Sequence, residues 1–134
     1  MEMKSLLQML LADERRLHQA YTAYLPLLRP AVLREKIQRW AGEGWKHIEA
    51  LERAVEKSGA LGETVAPGAV PPSAETHALL DFFYQQEERL YYRYQEALKR
   101  TESESLRSLL FSHLQDQKRH LAGIQHLYAE FLYY

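Results

Sequence analysis

The segment SGALGETVAPGAVPPS, residues 58–73, divides this 134-residue chain into two halves. It holds three of the six glycines and three of the five prolines, a composition through which a helix cannot continue. Shorter interruptions occur at Pro26 and Pro30 in the first half and at TESES, residues 101–105, in the second. These breaks predict four helices at about residues 2–28, 31–58, 74–100 and 103–132, with a crossover loop at 59–73.

All four segments repeat their apolar residues with the 3.6-residue period of an amphipathic helix, and none shows the alternation of a strand. The first segment, for example, carries Leu7, Leu10, Leu17 and Tyr21 on one stripe. The sequence therefore predicts an all-α four-helix bundle in a single domain, residues 1–134. The outer connections are short, whereas the middle one spans roughly 50 Å when extended. This predicts two helical hairpins joined by a crossover that runs the length of the bundle.

The composition excludes several classes of site. Cysteine is absent, which excludes disulfides, thiolate metal sites and iron–sulfur clusters, so a metal must be held by carboxylate, imidazole or amide groups. Lys and Arg total 17 against 18 Asp and Glu, so the chain lacks the basic excess typical of nucleic-acid binding. No apolar run reaches about 18 residues, and the N-terminus does not resemble a signal peptide. We expect no membrane partner and a cytoplasmic location.

Polar residues interrupt the middle of each apolar stripe. In chain order they are Glu14, His47, Glu87, His113, Gln117 and His120. A lone carboxylate in an apolar core costs several kcal/mol unless it is paired, protonated or bound to a cation. The glutamates and histidines can satisfy one another as Glu–His pairs, or they can converge on a metal ion. The residues alone leave both alternatives open.

The two halves also correspond to one another at an offset of 73 residues. The matched pairs are Glu14 with Glu87, Tyr21 with Tyr94, Gly44 with Gln117, and His47 with His120. The interval from the acid to the histidine is 33 residues in both halves. We interpret this as an internal repeat, because helical periodicity alone tolerates many other offsets.

This arrangement resembles the ferritin-like superfamily, and rubrerythrin-type domains in particular, over nearly the whole chain. The residues that carry the resemblance are Glu14 with Tyr21, KHIEALE (46–52), Glu87 with Tyr94, and QKRHL (117–121). In that family two helices each supply one Glu, and the other two each supply a Glu-x-x-His pair. The resemblance implies a ferritin-like fold and a site for Fe, Mn or Zn. Its implied ligands are Glu14, His47, Glu87, Gln117 and His120, with His113 assisting.

The resemblance further implies iron- or peroxide-linked oxidoreductase chemistry with an external redox partner, because a rubredoxin-like tail would need cysteines. The chain departs from the family motif at Gly44 and Gln117, which stand where the metal-bridging glutamates are expected. Without them a di-iron centre loses two negative charges and both bridges. Glu43 and Asp116 lie four residues before the histidines and are expected at the flank of the bundle.

An alternative hypothesis is a degenerate, metal-free bundle. Its polar layer would be a hydrogen-bond network, and its function would lie in association with partners, most simply as a homodimer. Phe82 and Tyr92 fall nearly opposite the core stripe of the third helix, and Trp45 falls at the flank of the second. Aromatic residues outside the core stripe can mark such an interface.

Overall fold

The computed structural model describes residues 2–59 and 68–131. They form four α-helices, α1 (Met3–Tyr24), α2 (Ala31–Lys57), α3 (Thr76–Arg100) and α4 (Glu104–Phe131), with a 3-10 turn at Leu25–Leu27. The described residues contain no strand, so the all-α class with four helices is confirmed. None of these helices has a stretch apolar and long enough to cross a membrane.

Proline sets the boundary between α1 and α2. Pro26 has no N–H to donate to the helix, and the chain tightens from α-helix into the 3-10 turn at this point. As a result α1 ends at Tyr24, earlier than the predicted residue 28. Pro30 directly precedes α2, close to the N-terminal position that proline favours.

The second hairpin begins and turns close to the predicted positions. Helix α3 starts at Thr76, two residues later than predicted, after the pair Pro71 and Pro72. Ser103 precedes α4, and its Oγ accepts a hydrogen bond of 3.4 Å from the backbone N–H of Leu106. This is the N-cap arrangement expected from the TESES sequence.

The apolar stripes meet in one core. Fully buried members include Leu7, Leu10, Ile37, Leu51, Phe83, Leu90, Leu110 and Ile124. Tyr21 stacks on Phe83 with ring centroids 4.6 Å apart, which joins α1 to α3. Each fully buried Leu, Ile or Phe side chain contributes roughly 1.5–3 kcal/mol, so this core supplies most of the driving force for packing the helices.

Helix directions follow from side-chain contacts between α1 and α3. The Tyr21 hydroxyl bonds to Glu87, and the Tyr94 hydroxyl bonds to Glu14. A later position on α1 therefore meets an earlier position on α3, so the two helices are antiparallel. In addition α1 contacts α2, and α4 contacts both α3 and α2. The central residues of all four helices consequently face one another.

One expectation about the aromatic residues is wrong. Phe82 is only 6% exposed and packs edge-on against Tyr24 at 5.8 Å, so it belongs to the core. The reason is that α3 is covered on two sides, by α1 and α4, which widens its buried arc beyond a single stripe. Tyr92 and Trp45 are 58% and 50% exposed, as expected for residues outside the core stripes.

Candidate functional site

A buried polar cluster surrounds Glu14 in the middle of α1. Glu14 Oε1 lies 2.9 Å from Nδ1 of His47 and accepts a hydrogen bond of 2.8 Å from the Tyr94 hydroxyl. The other ring nitrogen of His47, Nε2, lies 2.7 Å from Oδ2 of Asp116. All four helices thus contribute one side chain each to this half of the layer.

A second cluster surrounds Glu87 in the middle of α3. Glu87 Oε1 accepts a hydrogen bond of 2.7 Å from the Tyr21 hydroxyl, and Oε2 lies 3.1 Å from Nδ1 of His120. The Gln117 amide Nε2 donates to the same Oε2. The outer nitrogen of His120, Nε2, contacts Oε2 of Glu43. Apart from the Gln117 contact, these contacts match those of the first cluster at an offset of 73 residues.

The outer carboxylates were not expected at the histidines. Glu43 and Asp116 are only partly exposed and bond to the histidine of the opposite hairpin, so their expected place at the flank was wrong in this respect. Arg119 joins them: one guanidinium nitrogen lies 2.8 Å from Glu43 Oε1, and another contacts Asp116 Oδ1. The signal available in the sequence was the spacing of four residues before a histidine, which occurs in both halves.

An aromatic ring covers each imidazole. His113 stacks on His47 with centroids 3.9 Å apart, and Trp40 stacks on His120 at 5.7 Å. His113 also places Nδ1 2.9 Å from the Tyr94 hydroxyl. These rings shield the Glu–His contacts from water on the side away from the carboxylates, which strengthens the electrostatic interactions within the layer.

Two glycines make room at the layer, each for a different neighbour. A Cβ built on Gly123 would lie 2.3 Å from Cζ2 of Trp40, so only glycine lets the indole reach its position over His120. A Cβ on Gly44 would lie 3.6 Å from Glu14 Oε2, an ordinary contact distance. Gly44 therefore leaves a gap beside Glu14 where Gln117 fills the equivalent position beside Glu87.

The facing carboxylates control the charge of the two histidines. Burial lowers the pKa of His120, but Glu87 and Glu43 outweigh it and raise the pKa to about 9. For His47 burial again acts downward, and Glu14 with Asp116 hold the pKa above its ordinary value. His120 is therefore an imidazolium at neutral pH, placed between two acids.

The remaining titratable groups complete a charge-compensated layer. Burial raises the pKa of Glu14, an effect that its contacts with His47 and Tyr94 reduce. Burial and the facing His47 lower the pKa of His113 to about 3, so its ring is neutral. Burial and the nearby glutamates raise the pKa of Tyr21 and Tyr94 well above 10, so both hydroxyls keep the protons they donate.

The donor groups fit a metal ion in part. Each histidine turns Nδ1 toward a buried glutamate and has Nε2 held by an outer acid, as metal-binding histidines commonly do. Two ligands at ~2.1 Å from one ion, at right angles, lie about 3.0 Å apart. The Glu–His separations of 2.9 and 3.1 Å match that value. Across residues 2–59 and 68–131, however, no three Asp, Glu or His side chains form a group able to hold a metal.

Gln117 makes the two halves unequal as ligand sets. Its amide lies beside Glu87 and His120, which gives that half three donor groups. The orientation of an amide is assigned from its hydrogen bonds, and a half-turn presents its oxygen in place of its nitrogen. The other half has Glu14 and His47, with the gap at Gly44. All five predicted ligand positions lie in this one layer.

Comparison of the chain with protein-family models, curated proteins and solved structures gave no match.

Proposed function

We propose that this protein is a ferritin-like bundle that binds one divalent cation, Fe, Mn or Zn, at the half-site formed by Glu87, Gln117 and His120. Glu14 and His47 form the weaker, related half-site. The observation that carries the proposal is the shared arrangement of the histidines. Each one directs Nδ1 at a buried glutamate while an outer carboxylate fixes Nε2.

The helix contacts support the ferritin-like part of the proposal. The Thr76 hydroxyl, at the start of α3, donates to the Arg29 carbonyl beyond the end of α1 at 2.8 Å. The last turns of α2 instead share a cavity with the first turn of α1 and the start of α4, at the opposite end. Gly68 lies against the Arg16 side chain along α1, at 3.5 Å from its built Cβ. A connection that runs along the bundle accounts for all three contacts.

Charge balance supports one ion rather than two. A cation that takes the place of the protons on Nδ1 of both histidines exchanges two positive charges for two, so the net charge of the layer does not change. A second divalent ion would add charge that the layer does not balance, because Gly44 and Gln117 supply no carboxylates at the two bridging positions.

Iron bound in this layer would supply redox chemistry toward oxygen or peroxide. The chain's own residues orient the ligands: Tyr21 and Tyr94 each donate to one glutamate oxygen and fix the rotation of its carboxylate. A cavity of about 420 Å³ between the end of α1 and the start of α2 has Tyr21, Arg34 and Gln38 in its wall. It brings small solutes to the outer side of the Tyr21 ring.

Metal stoichiometry tests this proposal. The protein, purified without chelators, is loaded anaerobically with Fe(II), or with Mn(II) or Zn(II), and bound metal is counted after gel filtration. We expect about one ion per chain, lost in Glu87→Gln and weakened in Glu14→Gln. Glu96→Gln, whose carboxylate pairs with Arg100 on the surface, should bind as the wild type does. A folded wild type that retains no metal under any of these conditions contradicts the proposal.

A metal-free bundle that acts by association, as a homodimer, is the second candidate. It is favoured by the observation that the buried carboxylates and imidazoles already bond to one another. The exposed rings of Trp45, Tyr92 and Phe111 are available for contact. Sedimentation equilibrium of metal-free protein should then give a dimer, and the double variant Trp45→Ser/Tyr92→Ser a monomer. A monomeric wild type rejects this candidate.

A further inference from the structure

A second cavity, separate from the polar layer, opens at one end of the bundle. Its volume is about 470 Å³, within the range of sites for small organic ligands. It lies between the first turn of α1, the last turns of α2 and the start of α4. The apolar part of its wall is formed by Met3, Leu7, Ala50, Ala54, Leu106 and Leu109.

The polar part of the wall is strongly basic. Lys4, Arg53 and Lys57 line the cavity together with the hydroxyl groups of Ser58, Ser103 and Ser105. Its described lining includes no acidic side chain. Lys4, Arg53 and Lys57 make no ion pair within the part of the chain that the structure describes, whereas Lys36 and Arg100 on other faces pair with Glu130 and Glu96. Three uncompensated cations thus surround one concave apolar surface.

The start of α4 adds to this positive potential. Ser103 and Ser105 flank its first residue, and the free N–H groups of a helix N-terminus carry a partial positive charge. An anion in the cavity would meet two ammonium groups, a guanidinium fork and hydroxyl donors. Such a set matches a doubly charged tetrahedral head group better than a single carboxylate.

We propose that this cavity binds an organic phosphate monoester that carries an aliphatic chain. Arg53, Lys57 and Lys4 hold the phosphate, and the chain lies on Leu7, Leu106 and Leu109. The ligand enters as a single molecule, because the site is a cavity with basic groups at its wall. The same head group also occurs in lipid bilayers, so the test must distinguish a free ester from a membrane surface.

Binding of octyl phosphate, measured by calorimetry below its micellar concentration, tests the proposal. We expect saturable binding of one molecule per chain. Affinity should rise roughly three- to four-fold per buried methylene from butyl to octyl phosphate, and inorganic phosphate should bind at least ten-fold more weakly. Raising the salt concentration should weaken binding because the phosphate contacts are partly screened.

Matched variants locate the site. Arg53→Gln/Lys57→Gln should reduce affinity for octyl phosphate at least ten-fold. Arg39→Gln/Lys118→Gln removes the same charges from exposed positions outside the cavity lining and should leave affinity unchanged. Leu109→Ala should weaken octyl phosphate binding without changing that of inorganic phosphate. Circular dichroism establishes that each variant is folded.

Three results would overturn the proposal. The first is absence of octyl phosphate binding by the folded wild type. The second is equal binding of octyl glucoside, which has the same chain without charge. The third is co-sedimentation with vesicles containing a phosphate monoester lipid when monomeric octyl phosphate does not bind, since this result assigns the basic groups to a membrane surface.

Discussion

Each imidazole of the central layer lies between two carboxylates, one buried and one partly exposed. His120 faces Glu87 at 3.1 Å and also contacts Glu43, while His47 faces Glu14 at 2.9 Å and Asp116 at 2.7 Å. A buried carboxylate without such a partner would cost several kcal/mol. The histidines therefore make the two glutamates tolerable in the core, whether or not a metal is bound.

The titration of His120 makes folding stability depend on pH. Its pKa is about 9 in the folded protein and about 6.5 in the unfolded chain. A raised pKa contributes stability that is fully present below pH 6.5 and is lost as pH rises through 9. We expect the free energy of unfolding, measured by urea denaturation with chelator present, to fall over this range by an amount on the order of 3 kcal/mol.

The variant His120→Gln should abolish most of this slope between pH 6.5 and 9. His126→Gln, on the exposed side of α4, should leave the slope unchanged, since this ring is 76% exposed. An unfolding free energy that is independent of pH in the wild type would contradict the assigned ion pairs.

The tyrosine hydroxyls should contribute unequally to stability. Tyr94 bonds to both Glu14 and His113, whereas Tyr21 bonds to Glu87. We expect Tyr94→Phe to destabilise the protein by about 2–3 kcal/mol and Tyr21→Phe by about 1–2 kcal/mol, because each leaves a buried acceptor unpaired. Denaturant unfolding measures both. Equal, near-zero effects would show that water replaces the hydroxyls.

At the scale of the helices, α2 and α4 approach one another through ring stacking and ion pairs rather than through apolar side chains alone. Trp40 of α2 reaches over His120 of α4, and His113 of α4 reaches over His47 of α2. Gly123 permits the first of these contacts. The seam between these helices is therefore sensitive to single methyl groups.

Glycine-to-alanine substitutions test this seam. Gly123→Ala places a methyl group 2.3 Å from the Trp40 ring and should lower the free energy of unfolding by about 1–3 kcal/mol through overpacking. Gly42→Ala, whose Cβ meets nothing within 4 Å, should raise it by roughly 0.5–1 kcal/mol through helix propensity. A stabilising Gly123→Ala would mean that Trp40 does not occupy this position.

Regular elements could be predicted because their causes are local. Apolar periodicity and the prolines located all four helices, and the offset of 73 residues located the polar layer. The end of α1 differed because Pro26 permits a 3-10 turn, an outcome that depends on the packing of the next residues. Phe82 differed because the width of a buried arc depends on how many helices cover it.

The outer part of the site could not be predicted with the same certainty. Glu43 and Asp116 reach histidines on the opposite hairpin, and that contact depends on the register between α2 and α4, which periodicity does not fix. Arg119 follows from the same register, since it contacts both acids. Metal binding and association with a second copy remain predictions.

For the molecule as a whole, the number of buried carboxylates should set both metal capacity and metal-free stability. In the double variant Gly44→Glu/Gln117→Glu, each histidine gains a glutamate three residues before it, as in the family motif. We expect bound metal to rise from about one ion to about two per chain. The metal-free form should be destabilised by several kcal/mol, because two further charges are buried without partners.

The matched variant Gly44→Gln has similar volume and no added charge, so it should bind no additional ion. Metal analysis and thermal unfolding with and without metal measure these effects. A double variant that still binds one ion or none would contradict the assignment of this layer as a metal site.

The exchange of acids between hairpins ties the two halves of the molecule into one cooperative unit. His47 of the first hairpin needs Asp116 of the second, and His120 of the second needs Glu43 of the first. If one hairpin unfolds, the other keeps a buried histidine that has lost one of its two counter-charges. A partly unfolded intermediate with a single intact hairpin is therefore penalised, which favours all-or-none unfolding and limits exposure of either apolar face to aggregation or proteolysis.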